Sequence, residues 1–164
     1  MKPCSDMLVR LYDLPHHVPH LASIKERGIH IRRALSPEKH LVLKWIRTTF
    51  GAGWASEVET TFSTHPISLW IATKDNQMIG FCAYDATKKG IAGPIGIESS
   101  FQGQSIGRSL LLTTLHDMFH AGYDYAVMGW ASEENQKFFN KACQAQLIAG
   151  SEPTQGMYRG MLRE

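Results

Sequence analysis

The sequence contains few cysteines, and their spacing is not that of metal ligands or of a disulfide set. Its 164 residues include three, Cys4, Cys82 and Cys143, with no Cys-x-x-Cys pair. An odd number of widely spaced cysteines indicates neither a disulfide framework nor a zinc knuckle. We therefore expect reduced thiols, a cytoplasmic location and no bound metal.

Long apolar runs and an excess of one charge are also missing. No stretch approaches the roughly 20 apolar residues of a membrane-spanning helix, and the first ten residues lack a run of signal-peptide length. Seventeen basic and 15 acidic residues give a formal net charge of +2, and the hydrophobic fraction is 43%. These values are typical of one soluble globular domain with neither nucleic acid nor membrane as a partner.

Two common nucleotide-binding motifs are absent, but one glycine-rich turn has the features of an anion site. The sequence has neither G-x-x-x-x-G-K-S/T nor G-x-G-x-x-G. Residues 101–108, Phe-Gln-Gly-Gln-Ser-Ile-Gly-Arg, instead connect a predicted strand at 90–97 to an amphipathic helix that ends near Gly122. Such a turn presents unpaired N–H groups and the positive end of a helix dipole, which suit a pyrophosphate.

Alternating strand and helix patterns surround this turn. Ser36, Pro37 and Glu38 are typical of a helix start. The predicted strands are residues 29–35, 67–73, 77–85, 91–97, 125–130, 146–149 and 157–162. With the helices between them, the order is β-α-α-β-β-β-α-β-α-β-β. It predicts an α/β (α+β) fold whose mixed, mostly antiparallel, twisted central sheet is flanked by helices, after an extension of residues 1–28.

The turn and this element order together resemble the GNAT superfamily of acyl-CoA-dependent N-acetyltransferases. The family's pyrophosphate loop reads Q/R-x-x-G-x-G/A, and the matching residues here are Gln102, Gly103, Gln104, Ser105, Ile106 and Gly107. Ser105 stands in place of the first family glycine, and Ser99 in place of the usual proline before the loop. The resemblance covers residues 29–164 and implies one GNAT-like domain.

The resemblance implies acetyl-CoA as acyl donor. The strand before the loop would bind the pantetheine arm through its backbone, and a glycine at position 96 would permit close approach or mark a bulge. The family asparagine that contacts the arm is either Asn135 or replaced by Ser132. The expected cofactor-binding residues are Ile95, Gly96, Ile97, Gln102, Gly103, Gln104, Ser105, Ile106, Gly107, Arg108, Asn135 and Phe139.

The usual catalytic acid of the family is not found at its expected position. Many members use a tyrosine in the helix after the fifth strand, but the corresponding residue is Phe139, which cannot donate a proton. Tyr158, Cys143, Tyr84 or a water could replace it, or the thiolate could leave unaided.

Four carboxylates are available as a base: Glu57, Glu59, Asp85 and Glu98. Glu57 is favoured because residues 54–62 resemble the helix that covers the acceptor site in this family. Trp54 would line that site or serve as a core aromatic. The expected catalytic residues are Glu57 and Tyr158.

The expected reaction is direct transfer of an acetyl group to a primary amine in a ternary complex, with the acceptor unidentified and a homodimer allowed by the family. One alternative is a non-catalytic acyl-CoA-binding module, because Phe139 lacks the acid. Another is a zinc hydrolase, since residues 116–120, His-Asp-Met-Phe-His, resemble H-E-x-x-H. On a helical projection, however, His116 and His120 lie away from the apolar side.

The pentapeptide Gly-Trp-Ala-Ser-Glu occurs at 53–57 and again at 129–133. Its flanks do not continue the match, so we interpret it as a coincidence and not as a duplication.

Overall fold

A computed structural model describes residues 4–163, whereas residues 1–3 of the predicted extension and residue 164 lie outside that description. Within this range the strands are β1 Ser5–Arg10, β2 Ile29–Arg33, β3 Leu69–Lys74, β4 Gln77–Tyr84, β5 Ile91–Ile97, β6 Tyr125–Ala131 and β7 Gln146–Leu147. The helices are α1 Val18–Glu26, α2 Lys39–Phe50, α3 Ala52–Glu59, α4 Ile106–His120 and α5 Glu133–Cys143.

The strands form one sheet in the order β2-β3-β4-β5-β6-β1-β7. Every neighbouring pair is antiparallel except β5 and β6, which run parallel. These two strands pair only at Ile91 with Val127 and at Ala92 with Met128. Because β5 stays paired to β4 as far as Ile97, the sheet opens between β5 and β6 beyond Ala92. This opening lies directly before the glycine-rich loop.

The predicted fold class is confirmed, but the last predicted strand is wrong. Residues 157–162 form turns, in which the Arg159 N–H donates to the Gly156 carbonyl at 3.2 Å and the Met161 N–H donates to the Tyr158 carbonyl at 3.1 Å. Pro153, Gly156 and Gly160 favour turns over an extended chain here.

The place beside β6 is occupied by β1, from the predicted N-terminal extension. Its register runs from Ser5 opposite Ala131 to Arg10 opposite Tyr125. Strand β7 pairs with the other side of β1 and is shorter than the predicted 146–149. Residues before position 29 therefore contribute a strand to the central sheet.

Helix α4 lies at the centre of the packing. Its side chains at Leu110, Leu111, Leu112, Leu115 and Met118 are fully buried, and it contacts β3, β4 and β5. A second apolar cluster under α2 and α3 includes Ile46, Val58 and Phe81. The start of α4, which follows the loop, is thus fixed against the sheet. Among the described residues, no helix is long and apolar enough to cross a membrane.

Candidate active site

A cleft of about 580 Å³ lies between β5, residues 101–108 and α5, and we name it the loop cleft. All the predicted cofactor-binding residues line it except Gln104 and Ile106. The Ile106 side chain is buried in the core, so this position can contribute only through its backbone. The Gln104 side chain is exposed and accepts a hydrogen bond from Arg27 at 3.4 Å.

The backbone of the loop leaves its N–H groups available. Gly103 and Ser105 have positive φ values, of 76° and 66°, and Ser105 makes no side-chain capping hydrogen bond. The Phe101 and Gln102 amides donate to the Glu98 and Ser99 carbonyls, and the next backbone amide to donate is that of Ser109, to the Ser105 carbonyl at 3.1 Å. The amides of residues 103–108 have no acceptor among residues 4–163. They form the concave set of donors that phosphate oxygens accept from.

The left-handed backbone at Ser105 explains why the family has glycine at this position. A side chain at φ near +60° crowds the backbone, and glycine avoids that cost of about 1 kcal/mol. Serine keeps the conformation, and its exposed hydroxyl stands at the start of α4.

Two arginines complete the loop region. Arg108 lines the loop cleft, and its Nε is buried without a hydrogen-bond partner in the described structure. Arg27, directly after α1, donates from Nη2 to the Gln104 carbonyl at 2.8 Å. An unpaired buried guanidinium nitrogen is costly unless a ligand supplies an acceptor, so the loop cleft fits a diphosphate. Sequence reasoning missed Arg27, because its contact lies 77 positions away.

Gly96 lines the loop cleft and also has a packing role that the sequence did not predict. A Cβ built at this position would lie 2.6 Å from Phe50 Cζ and 2.9 Å from Phe81 Cε1. Gly96 pairs regularly with Phe81, and the irregularity in this strand pair falls between Cys82 and Tyr84. The bulge interpretation is therefore wrong, and the glycine makes room for aromatic packing beneath the cleft.

A second cleft, of about 500 Å³, lies between α3, β5, the end of β6 and residue 158. We name it the Glu57 cleft. It shares four lining residues with the loop cleft: Trp54, Ile95, Asn135 and Phe139. The two clefts therefore meet at a common wall. Of the two predicted positions for the family asparagine, Asn135 faces both clefts, whereas the Ser132 hydroxyl accepts from the Asn135 N–H as a helix cap.

Of the four predicted candidate bases, only Glu57 lines either cleft. The Thr87 hydroxyl donates to Glu57 Oε1 at 2.8 Å. Burial raises the pKa of Glu57, although the Thr87 hydrogen bond opposes the shift. Glu59 pairs with Lys39 at 3.1 Å, and Asp85 accepts from the Tyr123 hydroxyl at 2.6 Å.

Of the predicted replacements for the family acid, Tyr158 alone lines either cleft. Burial, followed by the charges of Glu57 and Asp6, raises the pKa of Tyr158 to about 12. Tyr158 therefore keeps its proton at neutral pH. Cys143 instead donates to the Phe139 carbonyl at 3.1 Å, and burial raises its pKa to about 12.

A β-bulge shapes the wall opposite α3. Met7 pairs with Met128 and Ser5 with Ala131, so Gly129 and Trp130 together face Asp6. The Trp130 N–H donates to Asp6 Oδ1 at 2.9 Å, and Trp130 has a φ of 55°. Bulges of this kind redirect side chains beside functional sites.

Because Gly129 has no side chain, the Tyr158 side chain can pack directly against this wall. A Cβ at position 129 would overlap the Tyr158 ring and the end of Met157, and the Trp130 and Tyr158 rings lie 5.2 Å apart. Sequence reasoning missed this wall, although the pentapeptide repeat was a signal. Residues of both copies line the Glu57 cleft, one on α3 and the other at the end of β6.

The H-E-x-x-H-like segment of α4 serves the packing of the fold. Asp117 pairs with Arg33 at 3.0 Å and accepts from Trp70 Nε1 at 3.1 Å. His116 Nε2 lies 2.9 Å from the Pro15 carbonyl oxygen. Among residues 4–163, no group of three or more His, Cys, Asp or Glu side chains is arranged to hold a metal ion.

Three solved structures have a similar fold. A GCN5-related glucosamine N-acetyltransferase region of a fungal multidomain GH3 β-N-acetylglucosaminidase aligns with a TM-score of 0.70 and 13% identity, covering 89% of this chain and 20% of that one. For a GCN5-related N-acetyltransferase from Sphaerobacter thermophilus the TM-score is 0.69, the identity 15%, and the coverage 90% and 49%. A Drosophila protein aligns with a TM-score of 0.65 and 12% identity, covering 90% of this chain and 48% of that one.

This chain thus spans between about a fifth and a half of the length of those structures. No curated protein matches it significantly. The family model described as Acetyltransferase (GNAT) family matches residues 39–143, which include the loop, β5, β6 and α5. That match covers more than half of the sequence and contains the whole loop cleft. The chain belongs to the GNAT family of acetyltransferases.

Proposed function

We propose that this chain transfers an acetyl group from acetyl-CoA to the primary amine of a separate acceptor, directly and within a ternary complex. The observation that carries the proposal is the common wall of the two clefts. One cleft ends in free amides and an unpaired arginine nitrogen, and the other holds a carboxylate and a protonated tyrosine. Two substrates bound in them would meet beside Phe139.

The donor would bind in the loop cleft. Amides of residues 103–108 and the Arg108 guanidinium would hold the diphosphate by charge-assisted hydrogen bonds. The backbone of residues 95–97, which is unpaired on the β6 side, would accept the amide-bearing arm as an added strand.

The acceptor would bind in the Glu57 cleft as an ammonium ion. When bound, acetyl-CoA supplies a thioester: the amine nitrogen bonds to its carbonyl carbon, the carbon–sulfur bond breaks, and the thiol leaves. Glu57 takes one proton from the ammonium ion and passes it to solvent, and its raised pKa makes it a stronger base. Tyr158 donates a proton to the sulfur and regains one from the nitrogen. The net products are an amide, a thiol and one released proton.

The donor site is tested by Gly107→Glu. A side chain at position 107 would start 3.5 Å from Ile97 Cγ1 and 3.6 Å from Phe138 Cζ, so a longer one enters the loop cleft. We expect CoA affinity, measured by calorimetry, to fall by about 100-fold, because two charge-assisted hydrogen bonds of about 1.5 kcal/mol each are lost.

The matched control is Gly107→Gln, which adds the same bulk without the charge and should lose less affinity. Thermal unfolding of both variants checks that the fold persists. Unchanged CoA affinity in Gly107→Glu would contradict the donor site. Thiol release from acetyl-CoA with a panel of amines then tests catalysis. A protein that binds CoA but acetylates no amine would be a binding module.

A further inference from the structure

The Glu57 cleft places one carboxylate among large apolar side chains. We infer that its acceptor is a primary monoamine with an apolar body the size of an aromatic ring and with no carboxylate of its own. This inference rests on the amine acetylation proposed above and adds the class of amine.

The walls of the cleft are apolar and partly open. Trp54 on α3, Trp130 on β6 and Met161 near the end of the chain all line it, and their exposures are 36%, 37% and 47%. Single exposed apolar residues are common on protein surfaces, but three around one cavity indicate a surface that an apolar ligand covers. Met128, which is buried, and Pro94 line the cleft as well.

Both tryptophans are held in place. The Trp54 ring lies 5.0 Å from the Phe50 ring, and the Trp130 backbone is tied to Asp6 at 2.9 Å. A wall that is already ordered loses little entropy when a ligand binds. A cavity of about 500 Å³ accommodates a ring with a short amine chain.

The charges of the cleft disfavour an amino-acid acceptor. Glu57 faces the cavity, and its charge and that of Asp6 both act on Tyr158. A substrate carboxylate would enter the field of these two carboxylates and would also lose its water. An ammonium group is attracted by the same field.

The walls also disfavour the two other common classes of amine. The hydroxyl groups of an amino sugar need several hydrogen-bond partners, and few of the residues that line the cleft have polar side chains. The second ammonium group of a polyamine would find no second carboxylate, because Glu57 is the only one among the described lining residues.

The test compares kcat/KM for four amines, measured as thiol release from acetyl-CoA with the full chain. 2-Phenylethylamine and phenylalanine differ only in the carboxylate, and glucosamine and spermidine represent the other classes. We expect 2-phenylethylamine to be preferred by at least about 100-fold, the scale of discrimination produced by unpaired polar groups in a binding site.

Two variants locate the effect in the walls. Trp130→Ala should raise KM for 2-phenylethylamine about tenfold without changing KM for acetyl-CoA, and Trp130→Phe should restore it. Met161→Ala, at an exposed position, should shift KM in the same direction and tests the wall if the tryptophan variant fails to fold.

The results of these experiments distinguish the apolar acceptor from the proposed amine acetylation. A preference for phenylalanine, glucosamine or spermidine would overturn the apolar acceptor while leaving amine acetylation intact. A KM for 2-phenylethylamine that neither Trp130→Ala nor Met161→Ala changes would also overturn it. A protein that binds CoA and acetylates none of the four amines would overturn the proposed function and this inference with it.

Discussion

The loop cleft and the Glu57 cleft share a wall but are built in opposite ways. In the first, the proposed diphosphate ligands are backbone amides of one short segment, and their direction is set by the start of a helix buried in the core. Side chains from α3, β5, β6 and the C-terminal turns form the second. A backbone site tolerates sequence change as long as small residues persist. A side-chain site changes its ligand with each substitution.

Phe139 lines both clefts, so we expect its substitution to have the largest effect. It is 6% exposed, so Phe139→Ala should lower the free energy of unfolding by about 3–5 kcal/mol, as measured by urea denaturation. Affinity for CoA and KM for the amine should both worsen.

The neighbouring Phe138→Ala is the matched control, because Phe138 lines the loop cleft alone and should affect CoA only. A shifted pH profile with normal CoA affinity in Phe139→Ala would show instead that this position takes part in proton transfer.

Glu57→Gln should affect only the acceptor side. We expect kcat to fall about 100-fold at neutral pH, the scale of a lost general base, with CoA affinity unchanged. In the parent protein kcat/KM should rise with pH through the raised pKa of Glu57, and that limb should vanish in the variant. A variant that retains the limb would exclude Glu57 as the base.

The free energy of unfolding should also depend on pH through the pKa of Glu57. Because burial raises the folded-state pKa of Glu57, its protonated form favours folding below the unfolded-state pKa, and this benefit is lost as pH rises through the folded-state pKa. Relative to Glu57→Gln, the parent should therefore lose unfolding free energy toward neutral pH, as urea denaturation across that range would show.

Gly129→Ala should give the smallest of these effects. Its Cβ would overlap Tyr158, and relief of such overpacking costs about 1–3 kcal/mol. We expect about a tenfold loss of kcat/KM with CoA affinity retained. Gly53→Ala is the matched control, since it is the same change in the other copy of the pentapeptide and its Cβ would have no neighbour within 4 Å. Equal losses in the two variants would refute the role of Gly129.

The contrast between the clefts also explains what the sequence could predict. The turn at 102–108, its strand and its helix are local, so pattern and family resemblance predict the turn between a strand and a helix, as the structure has it. The sequence also favours Glu57 and Tyr158, and both line the Glu57 cleft. Trp130 was missed because its orientation depends on a bulge opposite Asp6, 124 positions away.

The error at 157–162 has a related cause. An apolar pattern alone does not show which segment will occupy an open sheet edge. Here β1 already pairs along β6, which leaves the later segment to form turns over Gly129.

Asp6 ties together parts of the chain that are far apart in sequence. Its N–H donates to Ser151 Oγ at 2.9 Å across 145 positions, its carbonyl accepts from the Ile148 N–H at 2.9 Å, and its carboxylate holds the Trp130 backbone. The early and late segments thus close on each other behind the tryptophan. Substitutions in either segment should therefore change the amine specificity and leave the affinity for CoA unchanged. Changes near residues 6 and 148–151 are therefore a route to new amine specificities that leaves the loop at 102–108 untouched.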